Sequence, residues 1–343
     1  MAVASGALQP LSGQDQDSKN AGYGVAVDMG ASHLRFVLAT ADGTIRTEAR
    51  EHVKAEAGPA GVIAQLRDGI ASLIQKSGTA QADLQGIAIG VPGGVDPQSG
   101  KVIDANNVPG WREVDMGRAL EDAFGVPVFL DNDANMAAIG EHWRGVAQGV
   151  DNFVFIALGT GIGSGVFVNG RICRGRSGFA GELFRMNLDW TRWNEDFPDT
   201  GYLEAHVSGV ALATEGRKLS NTGNGSESGT LAQTRDARYV FEALRQGNPQ
   251  AQALVENSFL ILGVAAANVV SMLDPEMVVF NGGIVKGAPD LLIKTVEKVV
   301  QRIHPKPPMI RLSTLEDKAQ IWGALYTLLH PSEQGAIRAG VAK

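Results

Sequence analysis

Asp131, Asn132 and Asp133 are three consecutive polar residues at the point where an apolar run, Val126 to Leu130, gives way to a helical pattern carrying Met136, Ile139, Glu141 and Trp143. A helix start needs only one capping side chain, and Asp133 taken alone fits a cap as well as it fits anything else. Three such groups at the carboxyl end of a buried strand suggest a site at the mouth of a sheet. A carboxylate there can take the proton of an acceptor hydroxyl during phosphoryl transfer, and an adjacent amide, Asn132, can both donate to and accept from a neighbouring hydroxyl. Two glycine turns offer the complementary chemistry. Gly30, Ala31 and Ser32 follow Asp28-Met29, and Gly159-Thr160-Gly161-Ile162-Gly163 forms the second turn. Turns of this kind leave successive backbone N–H groups uncovered and so make anion-binding concavities. Neither turn fits the P-loop or dinucleotide fingerprint. Asp28, at the end of the strand before the first turn, is placed to hold the water shell of a Mg²⁺ ion on nucleotide phosphates, or else serves as an Asx-turn former. Glu182 after Gly178-Phe179-Ala180-Gly181, and Glu204 after Gly201, are candidates for contacting a polyhydroxylated acceptor, as is the amide-rich pair Asn106-Asn107.

The elements that must position these groups occur as a repeated unit. Tyr23 to Asp28 reads as a strand, then a glycine turn, a second strand His33 to Thr40, an Asp42-Gly43 hairpin turn and a third strand Thr44 to Val53. The second half repeats this with the strand Asn152 to Leu158, a glycine turn, the strand Gly165 to Val168 and an Asn169-Gly170 turn. Between them lie a helix over Pro59 to Lys76, a buried strand Leu84 to Val91 ending in Pro92-Gly93-Gly94, and a helix over Val114 to Phe124 with Asp115 as a possible cap. Helical spacing covers Gly201 to Ser220, Asp236 to Gln246, Pro249 to Leu273, Leu291 to Ile303 and Asp317 to Leu329, with strands at Met277 to Phe280 and Met309 to Leu312. Asn221 to Gly229 reads as a surface loop. Two copies of one unit predict an α/β chain of two similar lobes with a cleft between them.

Composition narrows the function classes. The 343 residues exceed what one core holds, which also favours two lobes. A net charge of -7 and a pI near 5.4 argue against nucleic-acid binding by bulk charge, so anionic phosphates must be met locally. The single cysteine, Cys173, excludes an internal disulfide and a cysteine zinc cluster. Phe259 to Leu273, broken by Asn268, reads as a buried helix rather than a membrane span. Met1 to Asn20 reads as a disordered tail and not a signal peptide, and a cytoplasmic protein is expected. The six histidines show no paired-ligand spacing.

Several of these motifs together resemble the ROK family of bacterial sugar kinases and sugar-responsive repressors. Asp28-Met29-Gly30-Ala31-Ser32 resembles its first phosphate motif, D-x-G-G-T, and Leu158 to Gly163 its second. Asn107-Val108-Pro109-Gly110-Trp111 is similar to its N-L-P-G-W sugar loop, Asn132-Asp133-Ala134-Asn135 to its N-D-A-N motif, and Asn281-Gly282-Gly283 to its glycine pair near adenosine. The likeness runs from Tyr23 to about Leu329. It implies the duplicated actin-like (ribonuclease H-like) ATPase fold, with residues 22–133 plus 314–330 as the small lobe, 134–313 as the large lobe and 1–21 as a tail. It further implies ATP and Mg²⁺ at Asp28, Gly30, Ala31, Ser32, Gly159, Thr160, Gly161, Gly163, Gly282 and Gly283, a hexose-like sugar at Asn107, Asn132, Glu182, Glu204 and Arg185, Asp133 as catalytic base, and a homodimer. The chain departs from the pattern after Ala180-Gly181-Glu182: Arg185 stands where the family has its zinc- and sugar-binding His, Tyr202 stands at the last zinc Cys, and no zinc site is expected. The loop Asn187 to Thr200 must then be ordered by packing, with Trp190 and Trp193 as candidates. Only some twenty residues precede the first strand, which favours a kinase over a DNA-binding regulator and gives sugar and ATP, not nucleic acid or membrane, as partners. A catalytically silent sugar sensor and a nucleotide-dependent dehydrogenase are the rivals, and polyphosphate is an alternative donor.

Overall fold

A computed structural model describes residues 22–30, 32–105, 109–195, 201–221 and 237–339. The expected tail, Ala31, Asn107 and the polar loop beyond residue 221 lie outside the described residues. Alternating apolar residues make β1 (Tyr23–Met29), β2 (His33–Thr40) and β3 (Ile45–His52) an antiparallel meander. After α1 (Gly58–Ser77), β4 (Leu84–Val91) returns parallel to β1. A small ribbon of β5 (Val102–Asp104) and β6 (Arg112–Val114) leads into α2 (Met116–Phe124). Val114, expected in that helix, pairs with Val102 instead, because Asp115 caps the helix by accepting the Arg118 N–H. Then β7 (Val128–Asn132), parallel to β4, runs directly into α3 (Asp133–Arg144).

The second half opens with a second meander, β8 (Phe153–Leu158), β9 (Ile162–Val168) and β10 (Arg171–Ile172). The helix expected over Gly201 to Ser220 is two helices, α4 (Glu204–Val207) and α5 (Gly209–Asn221). Ser208 between them is extended (φ -66, ψ 165), and its hydroxyl accepts the Ala211 N–H and restarts the helix. There follow α6 (Arg238–Arg245), α7 (Pro249–Leu273), β11 (Met277–Asn281), α8 (Gly283–Gly287), α9 (Pro289–Ile303), β12 (Met309–Leu312), α10 (Ala319–Leu329) and β13 (Ile337–Arg338).

One sheet has the order β13-β7-β4-β1-β2-β3 and the other β10-β9-β8-β11-β12. Without β13 the two orders are the same: a three-strand meander followed by two strands parallel to its first. The repeated unit in the sequence is thus a repeated sheet. β13 lies beyond the reach of the sequence patterns and pairs antiparallel with β7, the strand that delivers Asp131 to Asp133.

Each sheet has an outer core. Val25, Val27, Leu34 and Phe36 pack toward α1 and α2, and Val154, Ile156, Val278 and Phe280 pack with α7 and α9. A third core lies between the sheets, where Ala26, Val37, Phe153, Phe155 and Val279 meet α3 and α10. These two helices cross at backbone contact. A Cβ on Gly323 would land on the Met136 carbonyl, and one on Gly140 would land on the Ala319 carbonyl. Among the described helices α7 alone is long and apolar enough to cross a membrane by length and composition, but Val255, Phe259, Leu262 and Val270 on it are core residues.

Candidate active site

The two halves converge on the junction of β7 and α3. Asn132 is the cap of α3: its Oδ1 accepts the N–H groups of Ala134 (2.9 Å) and Asn135 (3.2 Å), while its Nδ2 donates to the Gly93 carbonyl at 3.0 Å. Asp133 is therefore not needed as the cap, although its own Oδ1 also takes the Ala134 N–H at 2.8 Å. Asp131 lies behind both. One of its oxygens accepts from Asn132 N and from Asn135 Nδ2, both at 2.9 Å, and the other is paired with Arg174 Nε at 2.8 Å. Asp131 is 2% exposed, so this ion pair is held in the interior. Arg174 also donates to the carbonyl of Gln334, whose side chain accepts the Ile172 N–H and donates to the Gly170 carbonyl. The strand end carrying the motif is thus tied to the second sheet's hairpin and to the segment that leads into β13.

Four carboxyls stand about this junction, Asp28, Asp133, Glu182 and Glu204, each half-buried. Burial, reinforced by the charges of Asp28 and Glu182, raises Asp133 to about 7. Burial raises Glu182 to about 7, with Arg185 opposing and Glu204 adding to the rise. Burial raises Asp28 to about 6 against the pull of Arg35 and Arg50. Glu204 is also raised by burial, opposed by its bond from the Ile162 N–H. The charges of Asp28 and Glu182 act on Asp133, and that of Glu204 acts on Glu182, so these acids lie within electrostatic reach of one another. Perturbed acids grouped in a cleft are a signature of chemistry.

The glycine turns flank the acids. In the first turn Gly30 N donates to the His33 carbonyl, and Ser32 is exposed with its carbonyl held by Val53 N. In the second turn Gly159 N donates to the Gly161 carbonyl, and the carbonyls of Gly159 and Thr160 receive the N–H groups of Gly209 and Val210. One Glu204 oxygen lies over Gly161 and accepts Ile162 N at 2.6 Å. Gly163 brings this turn against α3, since a Cβ there would sit 3.1 Å from the Ala134 side chain. Gly282 (φ 113) lies on the Leu158 carbonyl, so Gly282 and Gly283 stand beside the second turn.

Arg185 is exposed, with its guanidinium 4.8 Å from the Phe184 ring centroid, and its charge acts on Glu182. One sequence expectation needs correction: Trp190 and Trp193 do not order their loop, being 84% and 80% exposed. Within residues 187–195 the loop is held by Asp189, which accepts from Thr191, and by the Arg192–Glu195 ion pair. Arg192 also lies over the Tyr202 ring, which stacks on His206. Arg185 and Tyr202, at two positions where the resemblance puts zinc ligands, are a guanidinium and a phenol, which do not fit zinc. Among the described residues no group of three or more His, Cys, Asp or Glu could hold a metal ion. Sequence reasoning missed Arg174 and Gln334. Their partners lie 43 and about 160 residues away, so no local spacing could have marked them.

The family model described as "ROK family" matches residues 24–330. A glucokinase from Halalkalibacterium halodurans is 32% identical over 289 residues, covering 80% of this chain and 84% of the relative. The xylose repressor of Bacillus subtilis is 28% identical over 296 residues, covering 84% of this chain and 71% of the relative. The crystal structure of a ROK hexokinase from Thermus thermophilus aligns with a TM-score of 0.74 at 28% identity, covering 89% of this chain and 97% of that one. The fold is the duplicated actin-like ATPase fold, two lobes about a cleft.

Proposed function

Because the chain belongs to the ROK family, we propose that it is an ATP-dependent kinase that phosphorylates a hydroxyl, the 6-OH, of glucose or a related hexose or amino sugar. The observation that carries this reading is Asp133, a cleft carboxyl raised to about 7 and freed from helix capping by Asn132. In the proposed reaction Asn132, Glu182 and Glu204 hold sugar hydroxyls, together with Asn107 and with Arg185 at the rim. Asp133 accepts the proton as the acceptor oxygen bonds to the γ-phosphorus and ADP leaves with the bridging oxygen. The phosphates lie between the turns Gly30 to Ser32 and Gly159 to Gly163, with Gly282 and Gly283 beside the adenosine. Asp28 would hold Mg²⁺ through its water shell, and that ion would supply charge neutralisation for the phosphates. Two neighbouring carboxyls raised by burial, Asp28 and Asp133, are a chemistry that a divalent cation relieves. No zinc takes part.

The proposed small lobe is 22–133 with 314–330, joined in its sheet by β13, and the large lobe is 134–313. Lobe closure would exclude water from the acceptor. A homodimer in the cytoplasm completes the proposal. The test is ADP release over a panel of hexoses, amino sugars and N-acetyl sugars, with ATP and with polyphosphate, for the wild type and Asp133→Asn. Sugar-dependent ADP release that falls by about 10²–10⁴ in the variant is expected. Near-normal turnover in the variant would remove Asp133 as the base. The likeness to a xylose repressor favours a second reading, a sugar sensor without turnover. It predicts sugar binding with no ADP release from any acceptor.

A further inference from the structure

The chain returns from the second sheet to the first through a short segment, Ser313 to Lys318, between β12 and α10. α10 packs on β1 and β4, so this segment is a strap between the two halves. Elements from both halves fasten it. Ser313 donates its hydroxyl proton to Glu141 of α3, a fully buried carboxyl, and its N–H to the Phe280 carbonyl at 2.9 Å. Asn281, the last residue of β11, donates from Nδ2 to the Glu316 carbonyl at 2.7 Å. Arg35 of β2 donates to the Asp317 carbonyl at 3.1 Å and lies 3.5 Å from the Asp317 carboxylate.

The contacts of Asn281 and Arg35 thus fall on successive carbonyls, and each comes from a residue beside the proposed donor site. Asn281 Oδ1 accepts the Gly282 N–H at 2.7 Å, and Gly282 (φ 113) is seated on the Leu158 carbonyl, where the second glycine turn begins. Arg35 stands directly opposite Asp28 in the pairing of β1 with β2, and the charges of Arg35 and Asp317 both act on Asp28. Between the two grips the backbone is strained: Glu316 has φ 54, the left-handed region that a side chain disfavours. Such a conformation persists only where its surroundings over-determine it. The peptide plane joining Glu316 to Asp317 is rigid, so the strap cannot shift at one carbonyl without shifting at the other. The acceptor side is fastened elsewhere: Asn132 is bonded to Gly93, Ala134 and Asn135, and Glu204 to Ile162.

We infer that Asn281 and Arg35 are positioning residues that act as a pair through the strap, keeping Gly282 at the adenosine end of the donor site in register with Asp28 at the phosphate end. Neither has to touch the nucleotide. The inference deepens the sugar-kinase reading and rests on it. Loss of either grip frees the strap, so the second grip then holds nothing, whereas sugar binding is untouched.

The experiment is calorimetric binding of ATP–Mg²⁺ and, separately, of glucose to the wild type, Asn281→Ala, Arg35→Ala and the double variant. Each single change should weaken ATP–Mg²⁺ binding by about tenfold and leave glucose affinity unaltered. Residues in separate sheets that acted independently would multiply to a loss of about a hundredfold. The strap predicts instead that Arg35→Ala adds nothing once Asn281 has been replaced. If Asn281→Ala does not fold, Asn281→Asp takes its place, because it keeps the acceptor for the Gly282 N–H and removes only the donor to the Glu316 carbonyl. Multiplying losses, single variants that bind ATP–Mg²⁺ as the wild type does, or a matching loss of glucose affinity overturns the pairing. A wild type that binds glucose but no ATP–Mg²⁺ sinks the kinase reading, and this inference with it.

Discussion

Replacing Asp133 by Asn should abolish turnover and at the same time stabilise the protein, increasingly so as pH rises. The native carboxyl titrates near 7 against 3.8 for an ordinary Asp, so between these values the unfolded chain releases a proton that the folded chain retains. The sign follows directly: the contribution of Asp133 to stability is fully present below about pH 3.8, falls as pH rises, and is lost once pH passes about 7. At about 1.4 kcal/mol for each tenfold change in the ionisation equilibrium, the full loss is about 4 kcal/mol. Water reaching Asp133 through the cleft screens part of this, so about 2–4 kcal/mol is expected at pH 8. Asn is nearly isosteric and stays neutral, and loses only the small favourable interaction of an acid with a helix N-terminus, about 0.3–1 kcal/mol. Urea unfolding at pH 5 and pH 8 should therefore show Asp133→Asn more stable than wild type, with the gap at pH 8 exceeding the gap at pH 5. A variant equal to or less stable than wild type at pH 8, or a gap that does not grow with pH, would refute the claim that the fold holds this carboxyl against its preferred ionisation. Such a cost makes sense only at a site that uses the group.

Four further outcomes follow from named contacts. As a base that must be ionised, Asp133 should give kcat/KM an acid limb, with activity falling as pH drops below about 7; a limb near 4 would exclude it. Gly323→Ala should cost about 1–3 kcal/mol by forcing α10 away from the Met136 carbonyl, whereas the same change in an open helix stabilises, so an unchanged or higher Tm would contradict the tight crossing. Arg174→Ala leaves Asp131 charged and unpaired in the interior and should cost about 3–5 kcal/mol, and adding Asp131→Asn should recover part of it in denaturant unfolding; strict additivity would show that the two do not act as a pair. Zinc chelators should leave both Tm and activity unaltered, and stoichiometric zinc in the purified protein by elemental analysis would count against the Arg192–Tyr202–His206 account of the loop.

What could be read from the sequence was local or repeated. The strand, glycine turn, strand, hairpin unit is legible because period-two alternation and turn residues act over a few positions, and its second occurrence predicts the second sheet. Asn132 and Asp133 are legible because they adjoin each other, but Asn132 as the cap of α3 is held by the Gly93 carbonyl in the bend after β4, which no spacing encodes. The reading of Trp190 and Trp193 as packing residues failed for a related reason. Large apolar side chains pack only if the fold brings something over them, and here Asp189, Arg192 and Glu195 satisfy the loop from within.

The least legible features are those that join the halves. Arg174 reaches from the second sheet's hairpin to Asp131 in the first, Gln334 ties the C-terminal segment to both, and β13 then pairs with the strand bearing the motif. All three meet at the end of β7, next to Asn132 and Asp133. A site built where the two halves meet must keep its base fixed while acceptor and phosphates come and go. An interior ion pair at 2.8 Å and an added edge strand are suited to that, because both resist the same displacement of the β7 end.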